Sequence, residues 1–423
     1  MTPRRELVAL VGADLLSNLG SRISILAIPW LVLETTGSPA KMGLVAAAET
    51  LPYLLSSGLG PPLADRIGLR RTSILADLGS AALMVAVALT PWLGFGALLI
   101  LVALVGTLRG VGDRVKHVMF RPAAEAAGVR LIRLTSVYDG LSRLTTLLGA
   151  SVGGLLIWWL GATLAILVDA VTFAVCALLI STLVRRSTGR PASSTPERYS
   201  RALADGLRYL RQDRAVLTML LVISALNMVV NASVAVYIPL WVAEVWGNPA
   251  GLGLVLGAFT AGSLLGNVLF TSFGSRLRRD LTFAIGAAVS GPPRLLVLAL
   301  SDNITVVVVV TFVSGIGIAV VNPLLGVALY ERPPAELQAR VIGLAGALAF
   351  AGLPLGALLG GASATTLGLE SALLTAALFI FTATAVPLAA VLRRMRAEPP
   401  DPVVRTTVDP SPAGRRSAPR GPG

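Results

Sequence analysis

Within an apolar stretch near its start, the chain places Asp14, Ser17, Asn18, Ser21 and Arg22. The spacing i, i+3, i+4, i+7, i+8 puts all five on one face of a helix. A carboxylate and a guanidinium inside an apolar helix are costly unless paired or hydrated. The stripe therefore predicts one of two things: a water-filled cavity in which a proton is exchanged, or a buried Asp14–Arg22 ion pair that fixes packing.

Related patterns recur. Thr135, Asp139, Ser142, Arg143 and Thr146 form a second stripe, with Asp139 and Arg143 open to the same two readings. Arg109 and Asp113 lie one turn apart, and Glu49 and Asp169 each stand in an apolar run. A proton carrier is a carboxylate whose ionisation is set by burial and by a movable cation. The candidates for proton coupling are thus Asp14, Arg22, Glu49, Arg109, Asp113, Asp139 and Arg143, with Asp14, Arg22 and Glu49 fitting best. Further on, Ser224, Asn227 and Asn231 repeat the first stripe without charge, Thr311, Ser314 and Asn322 follow in another run, and Arg294 stands behind Gly291-Pro292-Pro293. Charge concentrated in the first half places proton chemistry there, while neutral polar groups shape a cavity. Candidate substrate-cavity residues are Ser17, Asn18, Ser21, Tyr53, Tyr138, Asn227, Asn231 and Asn322. Trp30, Tyr237, Trp241 and Phe350 are large enough to stack on a bulky apolar compound or to anchor at a membrane interface, Trp241 being placed for the second role.

The elements that must hold these groups follow from composition. Of 423 residues, 55% are hydrophobic and 13% charged, against about a quarter charged in soluble domains. Twelve apolar runs, approximately 7–33, 42–63, 73–91, 95–115, 133–157, 162–184, 215–242, 250–273, 281–300, 304–328, 341–365 and 371–392, have the length a bilayer demands. Unpaired backbone amides are not tolerated in lipid, so each run must be a helix. The fold class expected is an all-α membrane protein. The first run is read as a retained helix rather than a secretory signal, since it is too long and others follow.

Arginines fall on alternate sides of these runs: Arg4 and Arg5, Arg66 to Arg71, Arg121 to Arg133, Arg185 to Arg214, Arg276 to Arg279, Arg332 and Arg340, and Arg393 onward. The opposite loops hold Glu34, Lys41, Glu244, Asp302 and Glu370. Positive charge marks the cytoplasmic side, so both termini are expected there. The formal charge of +13 is then a topology signal, and nucleic acid is not an expected partner. The single cysteine, Cys176, excludes an intramolecular disulfide, and the single histidine, His117, has no metal-ligand company. No cofactor and no metal is expected.

Sliding the sequence by 210 positions pairs Pro29 with Pro239, Glu34 with Glu244, Gly37 with Gly247 and Pro39 with Pro249, without a gap. A register of 207 aligns GASVGG (149–154) with GALLGG (356–361), and Arg133 with Arg340. The chain reads as one six-helix unit used twice: an N-terminal bundle over 1–184, a cytoplasmic linker over 185–214, a C-terminal bundle over 215–392 and a disordered tail over 393–423. The linker carries a short amphipathic helix with Leu203, Leu207 and Leu210 on one face, expected to lie on the membrane surface. The glycines Gly149, Gly153, Gly154, Gly356, Gly360 and Gly361 let helices approach closely.

The gap after the second run reads LADRIGLRR (63–71). With the two-fold repeat, it resembles the signature loop of the major facilitator superfamily, Leu63, Asp65, Arg66 and Gly68 matching directly and Arg70 and Arg71 matching one residue late. Pro61 stands where that pattern has a glycine. The stretches IPWLVLETTGSPAKMGLV, ALADGLRYLRQD and GALLGG are similar to those of its macrolide-efflux-like branch. The resemblance implies twelve transmembrane helices in two pseudo-symmetric six-helix bundles, with Asp65, Arg66, Gly68, Arg70 and Arg71 as a gating latch. In that latch Asp65 would face the N-terminus of the eleventh helix near Arg340, and the arginines would pair with acids such as Asp113. GASVGG resembles the antiporter motif of helix 5, with Ala150 in place of its proline.

No phosphate-binding G-x-x-x-x-G-K-[ST] occurs, so an ion gradient remains as the energy source and no enzyme activity is expected. The function expected is export of a hydrophobic or amphipathic, antibiotic-like small molecule in exchange for protons, by a monomer in a bacterial inner membrane. Import of a nutrient by proton symport, and a non-transporting sensor or assembly factor on the same fold, are the alternatives.

Overall fold

The computed structural model describes residues 2–58, 66–89, 94–184, 207–274 and 277–397. Every regular element among them is helical: α1 (Pro3–Thr36), α2 (Pro39–Ser57), α3 (Leu69–Ala88), α4 (Phe95–Ala126), α5 (Leu131–Leu160), α6 (Ala162–Leu183), α7 (Arg214–Trp246), α8 (Ala250–Phe273), α9 (Arg279–Leu300), α10 (Ile304–Glu331), α11 (Ala335–Leu367) and α12 (Leu369–Ala397). Ten helices are long and apolar enough to cross a membrane. The other two are α2, with 19 residues, and α12, whose apolar part runs over Leu369–Ala385. Of the expected linker helix, residues 207–212 are helical and Leu203 lies outside the described residues. Leu210 is fully buried in the main apolar core, so this segment docks on protein rather than resting on lipid. The last helix continues to Ala397 instead of ending at 392.

Local sequence explains the ends and the breaks. Ser38, Asp213 and Asn303 cap α2, α7 and α10 by accepting backbone N–H groups that the first turn leaves unpaired. Gly37 and Gly247, 210 residues apart, close α1 and α7 at φ 60° and 69°, where a Cβ would be strained. Gly161 and Gly368, 207 apart, share φ near 80° at the starts of α6 and α12. The repeat is therefore built into the turns as well as the helices. Pro292 and Pro293 interrupt α9 after Ser290, and Pro323 interrupts α10 at Ala319–Val320, because proline lacks an N–H and collides with the carbonyl four residues back. In α7, Pro239 is flanked by two π-helical turns, Ser233–Tyr237 and Val242–Trp246, each absorbing one extra residue.

Helix packing falls into two sets. Among α1–α6, α1 packs on α5 and α6, α2 on α4, and α3 on α4 and α6; among α7–α12, α7 packs on α11, α8 on α10, and α9 on α10 and α12. The sets meet mainly through α2 against α11 and α5 against α8.

Candidate functional site

The polar residues of the first set converge on one face of α4, where Arg109, Asp113, Lys116 and His117 follow one another at i, i+4, i+7 and i+8. Glycines bring the neighbours in. A Cβ on Gly106 would overlap the Glu49 carbonyl, and one on Gly110 would overlap Ser56 and Tyr53, so α2 lies against α4 backbone to backbone. Glu49 consequently pairs with Arg109, and the Tyr53 hydroxyl donates to Asp113 Oδ2 at 3.4 Å. Lys116 is fully buried, 2.9 Å from Asp77 of α3 and 3.7 Å from Asp113.

Across from His117 lies Asp14 of α1, 0% exposed. Its Oδ2 accepts from the Tyr138 hydroxyl at 2.5 Å and from Asn18 Nδ2 at 3.1 Å, and His117 Nε2 lies 3.6 Å off. Its Oδ1 is sealed with no partner. The expected Asp14–Arg22 pair is not made: no carboxylate among the described residues bridges Arg22. Arg22 is exposed, yet it lies within electrostatic range of Arg109, Tyr53 and Asp113. An accessible guanidinium among buried charges lines water rather than lipid, since lipid would not solvate it. Asp169 of α6, also buried, accepts from Ser24 at 2.6 Å and Thr172 at 3.0 Å; Gly20 makes room, because a Cβ there would overlap Asp169 and Thr172.

Other sequence candidates separate from this cluster. Arg143 pairs with Asp139 at 2.9 Å along α5, where both remain accessible. Ser17 and Ser21 are buried on α1, and Tyr138 turns its hydroxyl to Asp14 instead of leaving it free for a ligand. Asn227 and Asn231 donate to the α11 carbonyls of Ala349 and Leu353 at 2.8 and 2.7 Å, so their amides brace α7 to α11. Asn322 is exposed. Trp241 is 1% exposed, which removes it as an interfacial anchor. Of the latch, Asp65 lies outside the described residues, as do Leu63 and Pro61. Gly68 has φ 96° as the residue that starts α3, and Arg66 and Arg71 are exposed. Arg70 donates to the Ile180 and Ser181 carbonyls at the end of α6, a favourable place for a cation. Asp113 is not its partner, being engaged by Lys116 and Tyr53.

Sequence reasoning passed over Asp77, Lys116 and His117. The available signal was the continuation of the Arg109–Asp113 stripe by two further polar residues at helical spacing.

The glycines of the repeated motif divide their work identically in both copies. Gly149 and Gly153 abut α1, and Gly356 and Gly360 abut α7, within a set; Gly154 abuts Gly253 of α8, and Gly361 abuts Pro39 and Gly43 of α2, across the sets. Gly140, Gly343 and Gly346, on the opposite halves of α5 and α11, face open space with nothing within 4 Å of a built Cβ. The seam between the sets is closed at the α1–α2 turn and open toward the chain's N-terminus.

Solved structures share this architecture. The nucleoside transporter NupG superposes with a TM-score of 0.75 at 12% identity, covering 91% of this chain and 98% of that one. A bacterial homolog to the human lysosomal transporter Spinster, solved inward-facing and unoccupied, gives 0.66 at 14% identity, over 93% and 98%. At such identities the likeness shows the fold alone. Among curated proteins, the multidrug efflux pump Tap of Mycobacterium tuberculosis is 29% identical over 374 residues, 86% of this chain and 88% of that protein. Macrolide efflux protein A of Streptococcus pyogenes is 23% identical over 403 residues, 90% and 94% respectively. Residues 5–414 match the family described as transmembrane secretion effector, and the chain, a multi-pass membrane protein, belongs to that family within the major facilitator superfamily.

Proposed function

We propose that this protein exports hydrophobic or amphipathic, antibiotic-like small molecules in exchange for protons, by alternating access between two six-helix bundles, α1–α6 and α7–α12. All twelve helices cross a bacterial inner membrane, both termini are cytoplasmic, and the protein works as a monomer. The names of its relatives Tap and macrolide efflux protein A support export of drugs. The arginine distribution supports the orientation. With that orientation the seam described above is closed outside and open inside, the state in which a cytoplasmic compound enters. Closing the inner end while opening the outer one exposes the same cavity to the far side.

The observation that carries the proton half of this reading is Asp14. It is fully buried between α1, α4 and α5, with one oxygen hydrogen-bonded and the other sealed without any donor. A buried carboxylate held by a phenol hydroxyl and an amide, with an imidazole 3.6 Å away, changes its protonation only as those partners or a nearby cation move. Arg22, accessible in the cavity and free of a carboxylate among the described residues, is the mobile cation that approaches when the bundles move.

The test is proton release from everted vesicles that are acidified inside and loaded with a pH dye, on adding macrolides, dyes and quaternary amines. Dequenching by a compound, lost in Asp14→Asn, is the expected result. Silence across the panel, with the protein verified in the membrane, would remove drug export and return attention to import.

A further inference from the structure

Asp14 is cut off from water, so an exchangeable proton needs a path. Leu10, Ala13, Phe120, Leu134 and Cys176 belong to the apolar cluster that walls this end of the bundle. One polar chain crosses the wall. The Tyr138 hydroxyl is 2.5 Å from Asp14 Oδ2, and His117 Nε2 is 2.9 Å from that hydroxyl. His117 itself is 43% exposed. The chain thus runs from an exposed imidazole through a half-buried phenol to a carboxylate with no exposure. Phe120 fixes the ring orientations, its centroid lying 5.2 Å from His117 and 5.0 Å from Tyr138. At helical rise, these groups sit roughly 10 to 16 Å along their helices from the end where the seam is open.

We infer that His117 and Tyr138 form the cytoplasmic proton port of Asp14, a role that rests on Asp14 being the exchanging carboxylate as proposed above. When Asp14 loads, imidazolium His117 gives its Nε2 proton to the Tyr138 oxygen as Tyr138 passes its own hydroxyl proton to Asp14 Oδ2. One N–H and one O–H break, two O–H bonds form, and the products are neutral imidazole, intact phenol and a carboxylic acid. His117 regains a proton from water, and unloading is the reverse. The remaining groups around Asp14 suit this task. Asn18 of α1 holds Oδ2 at 3.1 Å, and Lys116 of α4 is held by Asp77 of α3 and Asp113 of α4. Cys176 of α6 donates its thiol to the Ala13 carbonyl at 2.9 Å and offers no competing acid. Lys116, fully buried and ion-paired, cannot itself carry protons to water, which leaves the imidazole as the exchanger.

The experiment compares initial rates of substrate-induced proton release in proteoliposomes for wild type, His117→Ala, Tyr138→Phe and Asp14→Asn, with and without imidazole in the cytoplasmic-side medium. His117→Ala should slow release by about 10²-fold, the usual scale for removing a positioned acid–base group, and imidazole should restore much of it. Tyr138→Phe should be slowed and not rescued. A wild-type rate in His117→Ala or in Tyr138→Phe overturns the port, and so does a His117→Ala loss that imidazole leaves untouched, which marks a structural role. Release that survives Asp14→Asn removes Asp14 as the exchanging carboxylate, whereas a wild type silent to every compound of the panel removes the antiport reading, so the two failures are told apart.

Discussion

The two helix sets share matching turns and glycine contacts yet treat buried charge in opposite ways. In the first, Glu49, Asp77, Asp113, Asp14 and Asp169 face Arg109, Lys116 and Arg22, so acids outnumber cations and nearly every group has a partner. In the second, Arg294 is 1% exposed with no carboxylate partner among the described residues; it meets Ser233 at 3.4 Å and the Phe259 ring at 4.8 Å. Ser233 and Phe259 stand 209 and 210 positions after Ser24 and Glu49, so the second copy keeps a hydroxyl and puts an aromatic face where the first has a carboxylate. A surplus of acids can hold protons in a variable number, whereas a lone cation on a ring cannot. The difference teaches that a repeated scaffold can keep its turns and seams while, among the described residues, one copy alone buries carboxylates.

The comparison is broken most forcefully at Lys116. Replacing it by Met leaves Asp77 and Asp113 buried without their cation, and should lower stability by about 3–5 kcal/mol, read as a fall in the detergent unfolding midpoint. Adding Asp77→Asn should return part of the loss; a Lys116→Met protein as stable as wild type would show that the pairs do not hold the first set together. Next in size is the seam. Gly154→Val forces a side chain into the Gly253 backbone and should cost about 1–3 kcal/mol by overpacking. Gly140→Ala, which meets open space, should be neutral or stabilise by about 0.4–1 kcal/mol through the unfolded chain. Equal effects at the two glycines in thermal unfolding would contradict a seam closed at only one end. The smallest effect sharpens the comparison from the other side. Arg294→Met removes a buried cation that no carboxylate compensates, and should be neutral or raise stability by about 1 kcal/mol. A loss like that of Lys116→Met would mean that the second set also depends on its charge.

Much of the scaffold was legible in the sequence because it rests on local chemistry. Gly37 and Gly247 announce the same turn in each copy, and the apolar runs dictate helices wherever lipid surrounds them. Run length did not reveal the breaks in α9 and α10, although Pro292, Pro293 and Pro323 sit beside them. The site was read in part. The α1 stripe correctly grouped Asp14 with Asn18, but its proximity to Arg22 along the helix suggested a pair, whereas the partners come from α4 and α5. Asn227 and Asn231 looked like cavity residues because a one-dimensional stripe cannot show that α11 carbonyls lie within reach. His117 was weighed only as a metal ligand and Lys116 lay just past the apolar run read as 95–115, while burial beside Asp77 is a property of several helices at once.

Consider α5 as a lever. Gly154 touches α8 at the closed end, and Leu131, at the other end of the helix, lies roughly 35 Å away at the rise of an α-helix. A tilt of only about 10° about that contact would sweep the far end through roughly 6 Å of arc by the same geometry. Because a glycine gives a pivot no side-chain thickness, α5 and α8 meet there backbone to backbone. The missing Cβ at position 154 would thus let a small rotation at that contact become a displacement of several ångströms at the far end of the helix.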